Sequence, residues 1–222
     1  MEFGKMVGDS FGYAKDGLVG KWVNWILLII SCIIFPLIMG YMMRIFRGAD
    51  KAPELKEWGS MFIDGIKMFI VGIIYAIPII IIEFVVLGSA FITALTASTV
   101  AGQENPAGML ALIGGVIFGV IILAIVAIII GLIVATAIVR FARTNSFGEA
   151  FNFSAIFAHI GKIGFISYVI ALIILAIIIG VIETICIMIP YIGWVLLFIL
   201  LPVLCLFHAR YLTQLYESAG TA

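Results

Sequence analysis

Five long apolar runs constrain the fold of this chain more than any other feature of its sequence. A helix that rises about 1.5 Å per residue needs about 20 apolar residues to cross a hydrocarbon core about 30 Å thick. Because 65% of the 222 residues are hydrophobic and 11% are charged, a soluble fold is excluded. We predict an all-α, polytopic helical membrane protein with a single membrane domain over residues 1–222. The runs cover residues 22–43, 68–87, 109–139, 163–182 and 191–207.

The distribution of lysine and arginine predicts how these runs are oriented. Residues 44–67 and 140–162 carry basic side chains, whereas residues 88–108 and 183–190 carry none. Basic connections collect on the cytoplasmic side of a membrane, so we expect segments 44–67 and 140–162 to be cytoplasmic. The full spans that we predict are 67–88, a long span at 108–139, 162–183 and 190–209, followed by a tail at 210–222.

The second and third runs are predicted to form a long antiparallel pair of helices. The second run continues without a helix breaker through GSAFITALTAST at residues 88–99, and the third run alone has 31 residues. The segment AGQENPAG, residues 101–108, supplies the turn between them. A pair of this length must tilt or extend beyond the bilayer.

The first run fits two topologies. The surface segment 1–21 contains lysines, and the segment after the run is the most basic of all. With both ends cytoplasmic, residues 22–43 form a re-entrant hairpin that turns near Pro36, because proline removes a backbone hydrogen bond and kinks a helix. The alternative is a plain five-span protein whose N-terminus lies outside.

Three similar excursions into the membrane favour the re-entrant topology. The motif SFGYA at residues 10–14 is similar to SFGEA at residues 146–150, and residues 57–62 read EWGSMF. Each motif is followed by an apolar excursion with a proline near its turn, at Pro36, Pro106 or Pro190. We predict an internal repeat of three units, each made of a surface helix and a membrane hairpin.

Two amphipathic segments are predicted to lie in the membrane plane as interfacial helices, at residues 53–66 and 146–160. Apolar and polar side chains occupy opposite faces of each segment. Ser146 and Glu149 have the spacing of a capping box at the start of the second segment. The predicted interfacial anchors are Trp58, Phe62, Phe147 and Phe151.

Two Arg-x-x-Arg pairs end the first two excursions. A guanidinium group binds phosphate through paired hydrogen bonds, so the pairs are candidates for a site that binds a lipid or a partner. The alternative is that they anchor helix ends and set the topology. The candidate residues are Arg44, Arg47, Arg140 and Arg143, with Lys67 and Lys162 beside them.

Two acids and two glycines stand out within the apolar runs. Glu83 and Glu183 are intramembrane acids, which favours a functional role; their positions near the outer ends of their helices also suit hydrated end residues. Gly115 and Gly119 form a GxxxG face that permits close helix packing, within the chain or between copies.

The chemistry that is missing from the sequence narrows the function. No catalytic residue, cofactor or metal ligand set is predicted: His159 and His208 are isolated, and the odd number of cysteines, far apart in apolar runs, favours neither a disulfide framework nor a metal site. The net charge of zero gives no indication of a nucleic-acid partner. The centres of the later spans contain almost no polar side chain, which disfavours a coupled transporter.

The charged segment and the run after it carry a signature of thirteen residues: Gly40, Tyr41, Arg44, Arg47, Pro53, Trp58, Gly59, Phe62, Asp64, Gly65, Lys67, Tyr75 and Pro78. This signature resembles that of an uncharacterised, largely archaeal family of multi-helix membrane proteins, known only as a domain of unknown function. The resemblance implies the cell membrane of a prokaryote, an archaeon above all, and implies no activity. A looser similarity exists to the membrane domains that accompany glycerophosphodiester phosphodiesterases, whose catalytic domain is missing here.

We therefore expect a structural or accessory membrane protein rather than an enzyme. Its expected partners are membrane lipids, further copies of itself or a larger membrane complex. The alternative is a transporter or channel for a lipid-like or apolar solute.

Overall fold

The computed structural model describes residues 2–100 and 106–220, without the side chains of residues 94, 96–100, 106–109 and 111. Every regular element in this part of the chain is helical. The helices are α1 (Phe3–Leu18), α2 (Trp22–Ile33), α3 (Phe35–Phe46), α4 (Trp58–Val100), α5 (Pro106–Thr144), α6 (Phe153–Ile163), α7 (Phe165–Met188) and α8 (Gly193–Glu217), with short 3-10 turns at Phe147–Phe151 and Ser218–Gly220.

The all-α membrane fold is confirmed by helix length and composition. Among the described residues, four helices are long and apolar enough to cross a bilayer, namely α4, α5, α7 and α8. The continuation of the second run is also confirmed, because α4 extends unbroken to Val100. Residues 101–105 of the predicted turn at 101–108 lie outside the described residues, and α5 begins at Pro106.

The N-terminal region contains short helices instead of a straight span. The helical structure is interrupted at Ile34, between α2 and α3. Pro36 lies in the first turn of α3, where a backbone N–H has no helical partner, so proline costs no hydrogen bond there. Each of the 12-residue helices α2 and α3 is about 18 Å long, too short to cross a bilayer. A second break lies between α1 and α2, whose axes are bent by 104°, and the two together count as a fifth span or a re-entrant segment.

The first of two compact units comprises residues 1–71 and 133–222. Within it, α8 packs against α1, α2, α3 and α7. Its core is rich in aromatic side chains that are almost fully buried. They include Tyr41, Phe46, Phe141, Tyr168, Phe207 and Tyr211.

The second unit, Gly72–Leu132, comes from the two long helices α4 and α5. Gly119 lies against the side chain of Val86, and a Cβ atom at residue 119 would come within 2.4 Å of Val86 Cγ1. A Cβ atom at Gly115 would meet nothing within 4 Å. The GxxxG face is therefore used within the chain at Gly119 and remains open at Gly115.

The interfacial helix predicted at 53–66 needs correction. Residues 53–57 are not helical, and α4 begins at Trp58 and runs into the membrane span without a break. Glu57 has a positive φ of 55°, a backbone conformation that cannot belong to a right-handed helix. The amphipathic pattern of residues 58–66 therefore belongs to the first turns of the span.

The interfacial helix predicted at 146–160 also differs in detail. It is divided at Asn152 into the turn Phe147–Phe151 and helix α6. The capping box is wrong, since the Ser146 side chain makes no capping bond. Asn152 caps α6 instead, because its side-chain oxygen accepts a 3.2 Å hydrogen bond from the backbone N–H of Ala155.

Candidate functional site: the arginine cluster

Arg44 lies at the last turn of α3 and binds the loop that precedes α4. Its guanidinium group donates to the carbonyl oxygens of Lys56 at 2.8 Å, Glu54 at 3.3 Å and Glu57 at 3.4 Å, and to Ser60 Oγ at 3.2 Å. A carbonyl that belongs to no helix needs a partner elsewhere, and the five N–H donors of arginine satisfy several at once. Arg44 thereby fixes the point at which α4 begins.

Arg47 connects the end of α3 to the side of α4 through Asp64. The guanidinium nitrogen lies 2.7 Å from the Asp64 carboxylate, whose side chain is 15% exposed. Lys67 lies 3.8 Å from the other oxygen of the same carboxylate. Two of the predicted basic residues therefore share one acid of the same unit.

The backbones of α3 and α4 approach each other closely beside these ion pairs. A Cβ atom at Gly40 would lie 1.7 Å from the carbonyl oxygen of Met61, and one at Gly65 would lie 1.6 Å from the carbonyl oxygen of Pro36. Only glycine permits such an approach, which resembles the small-residue contacts between helices in membranes. Gly40 and Gly65 are both among the residues that carry the family resemblance, and this close contact explains why glycine is needed at each position.

Arg140, near the end of α5, is engaged by Glu149. Its Nε atom donates a 2.7 Å hydrogen bond to Glu149 Oε2, and its terminal nitrogen contacts the same oxygen. The Asn152 side chain also donates to this carboxylate. The hydrogen bond from Arg140 is the largest cause of a lowered pKa for Glu149, because it stabilises the ionised form. Glu149 therefore cannot serve the predicted capping box.

Arg143 connects three helix ends of the first unit. Its Nε atom donates a 2.7 Å hydrogen bond to the carbonyl oxygen of Phe46 at the end of α3. Its terminal nitrogen pairs with the carboxylate of Glu217 at the end of α8. Gly48, with φ of 96°, leaves room for the guanidinium group, because a Cβ atom there would lie 2.7 Å from it.

These four arginines, the arginine cluster, therefore combine internal hydrogen bonds with partial exposure. Arg143 binds the carbonyl oxygen of Phe46, which lies between Arg44 and Arg47 in the sequence. Arg140 pairs with Glu149 instead. The exposed fraction of the side chain ranges from 17% for Arg44 to 35% for Arg47. The arrangement joins helix ends, and its role in binding a lipid or partner stays a prediction.

A family model whose description reads "Protein of unknown function (DUF4013)" matches residues 25–191, more than half of the chain. The chain belongs to this family. No curated protein and no solved structure matches it. The DUF4013 match begins inside α2 and ends before α8, so it includes the whole arginine cluster. The resemblance to an uncharacterised membrane family is confirmed.

The remaining predicted residues of the DUF4013 segment lie at the protein surface. Trp58 and Phe62 are partly exposed in the first turns of α4. Phe147 packs its ring against Phe141 and Phe151 at centroid distances of 6.1 and 5.4 Å. Lys162, Glu83 and Glu183 have exposed side chains. Lys162 lies at the end of α6 and Glu183 lies near the end of α7. Glu83 lies near the middle of α4, because that helix continues to Val100, so its expected position near a helix end is wrong.

Two features within the first unit escaped the sequence reasoning. The thiols of Cys32 and Cys205, in α2 and α8, lie close enough to interact although 173 residues separate them in the numbering. His159 stacks on Tyr216 at 3.8 Å, and its Nε2 atom lies 2.9 Å from the carbonyl oxygen of that tyrosine. Burial lowers the pKa of His159, and this hydrogen bond opposes the shift only in part. Neither contact leaves a local signal in the sequence.

Proposed function

We propose that the protein is a non-enzymatic accessory membrane protein that packs with lipids, with copies of itself or with a larger membrane complex. The observation that carries the proposal is the exposure of the second unit. In an apolar stretch of 18 residues from each helix, 11% is buried in α4 and 6% in α5, against 39% in α8. Apolar surface of this extent needs a lipid or another apolar helix as its neighbour.

The side chains of the second unit support this role. Phe84 is 81% exposed and Phe118 is 66% exposed. On α5, the same helix as Phe118, a Cβ atom at Gly114 or Gly115 would meet nothing within 4 Å. A small-residue stretch next to large apolar side chains favours close packing of a helix from outside the unit, since association in membranes depends on packing rather than on the hydrophobic effect.

The arginine cluster supports a structural rather than a catalytic use of the polar residues. Its guanidinium groups bind carbonyl oxygens and carboxylates that belong to the chain itself. Such bonds connect the ends of α3, α4, α5 and α8. We also propose that the end of the protein with the arginine cluster faces the cytoplasm, as the basic connections imply. The family resemblance implies a prokaryotic cell, in particular an archaeal one.

Photocrosslinking in native membranes tests the proposal. A photoreactive phenylalanine analogue placed at residue 84 or 118 should form crosslinks to lipid, to a second copy or to another membrane protein. The matched control is residue 157, a phenylalanine of α6 that is 56% exposed in the first unit. Crosslinks from residues 84 and 118 exclusively to other parts of the same chain would contradict the proposal, because the apolar surface would then be covered internally.

A further inference from the structure

The contacts of residues 3–46 with α8 indicate how this segment enters the membrane, and all of them lie within the first unit. At its start, Ser10 on α1 accepts a 3.1 Å hydrogen bond from the side chain of Gln214. At its end, the carbonyl oxygen of Ile45 on α3 lies 3.3 Å from the hydroxyl group of Thr213. The segment therefore begins and ends beside the same end of α8, which is also the end that pairs with the arginine cluster.

Between these two points, the segment reaches the apolar part of α8. The indole nitrogen of Trp25 donates a 3.0 Å hydrogen bond to the carbonyl oxygen of Ile199. Further along α2, the thiols of Cys32 and Cys205 lie close enough to interact. Ile199 lies 11 residues before Arg210, which is about 16 Å along the helix. Since α8 is long and apolar enough to cross a bilayer, α2 lies at a depth where hydrocarbon surrounds the protein.

The helix α2 crosses α8 at a steep angle. Seven residues after Ser10, Gly17 packs against Leu206, which precedes the partner of Ser10 by eight residues. α1 therefore runs antiparallel to α8. The axes of α1 and α2 are bent by 104° at a break that includes Gly20, whose φ of 80° suits glycine. α2 is consequently oriented closer to the plane of the membrane than to its normal.

The exposed side chains change in character at this bend. On α1 they include four charged groups, from Lys5, Asp9, Lys15 and Asp16. On α2 every exposed side chain is apolar, and the exposed fraction ranges from 42% to 70%. The exposed face of α2 consists of Trp22, Val23, Ile26, Ile30 and Ile33. The boundary between water and hydrocarbon therefore lies at the bend, with α1 at the surface and α2 inside.

The composition of the exposed face of α2 favours lipid over a second helix as its neighbour. Helices that pack closely in membranes carry glycine, alanine or serine at the contact, because small residues let the backbones approach. The exposed face of α2 carries only tryptophan, valine and isoleucine side chains. The serine of α2, Ser31, is fully buried within the protein, as is Leu28. A lipid acyl chain adapts to bulky side chains without such a close approach of backbones.

We propose that residues 3–46 form a re-entrant segment and that lipid acyl chains cover the exposed face of α2. The segment turns between α1 and α2, at residues 19–21, and Pro36 lies on its return path. Lys21 at the turn is exposed, and its long stem lets the charge reach the head-group level. This topology goes beyond the accessory role, because it concerns the first unit and is independent of what covers α4 and α5.

Photocrosslinking of the full chain in its native membranes tests the neighbour of α2. A photoreactive phenylalanine analogue at residue 26 should form adducts with lipid acyl chains, which mass spectrometry identifies. The control is residue 15, an exposed lysine of α1, where such adducts should be many-fold rarer. Adducts of residue 26 chiefly with a second copy, with another protein or with the same chain would overturn the proposal. Lipid adducts no more frequent than those of residue 15 would overturn it as well.

Thiol labelling tests the re-entrant path. Gly4→Cys and Lys51→Cys, made as separate variants, place a cysteine at the start of the segment and after its end. A thiol reagent that cannot cross the membrane should treat both variants alike in intact cells, and both should react after the cells are opened. The unsubstituted protein gives the background. Reaction of only one of the two variants in intact cells would overturn the proposal, because the segment would then cross the membrane.

Discussion

The Nε atom of Arg143 donates a 2.7 Å hydrogen bond to the carbonyl oxygen of Phe46, 97 residues earlier in the chain. This bond joins the end of α5 to the end of α3, where the Phe46 side chain is fully buried. The same guanidinium group pairs with Glu217 in α8. One side chain thus connects three helices of the first unit.

Replacing Arg143 by glutamine should destabilise the protein by about 1–3 kcal/mol, because the carbonyl oxygen of Phe46 would lose its charged donor. The ion pair with Glu217 should add little, since the Glu217 side chain is 45% exposed. Thermal unfolding in mild detergent measures the change. Lys162→Gln removes an exposed charge of the same sign and serves as the control. Equal melting temperatures for the two variants would show that the bond contributes no stability.

Gly65→Ala should disrupt the contact between α3 and α4. The new Cβ atom would lie 1.6 Å from the carbonyl oxygen of Pro36, so the helices must separate, at a cost of about 3 kcal/mol or more. Gly59→Ala, on the same helix, has open space and should be neutral or stabilise by up to about 1 kcal/mol. Melting temperatures of the two variants measure the difference. If Gly65→Ala melts like Gly59→Ala, the close approach of the two backbones is wrong.

Acidification should destabilise the protein in two steps. The pKa of His159 lies below its ordinary value of 6.5 in the folded state, so the unfolded chain takes up the proton first and stability falls as the pH drops below about 6.5. The pKa of Glu149 is likewise lowered from 4.5, and its contribution is lost as the pH drops below that value. Melting temperatures across this pH range should show a smaller first loss in His159→Gln and a smaller second loss in Glu149→Gln. Identical pH profiles for the wild type and both variants would contradict these assignments.

Cys32 and Cys205 should form an intramolecular disulfide when the protein is treated with copper phenanthroline. Their thiols lie close enough to interact, whereas Cys186 lies on α7. Mass spectrometry after proteolysis should find a crosslink between peptides of α2 and α8. Cys186→Ser should leave the product unchanged and Cys32→Ser should abolish it. A crosslink to Cys186 instead would mean that α2 does not pack on α8 at this position.

A cysteine at position 4 tests the orientation of the N-terminus. With the N-terminus and the basic connections on the cytoplasmic side, Gly4→Cys in intact cells should not react with a thiol reagent that cannot cross the membrane. The same variant should react after the cells are opened, with the unsubstituted protein as the background. Labelling from outside intact cells would instead support five spans with an external N-terminus.

The sequence predicted the helices better than their contacts. The apolar and small-polar composition of residues 88–99 was enough to predict that α4 continues beyond the second run, since no proline follows Pro78 in this helix. The start of α4 was not predictable, because it depends on Arg44 binding the carbonyl oxygens of residues 54, 56 and 57. Ser146 and Glu149 failed as a capping box for a similar reason, since Arg140 occupies the Glu149 carboxylate.

For the site residues too, the sequence showed the residues themselves but not their contacts. The basic pairs were visible as Arg-x-x-Arg spacings, but their partners Asp64, Phe46 and Glu217 depend on helix packing over long separations. Local patterns specify helices, and long-range packing specifies the partners of individual side chains.

In the bilayer, the apolar surface of this membrane protein should be covered by lipid, by another copy or by a partner. Native mass spectrometry of the protein, extracted from its own membranes in mild detergent, tests this most directly. We expect the chain to be found with bound lipids, as an oligomer, or together with another membrane protein. A lone monomer that is free of bound lipid would contradict the account.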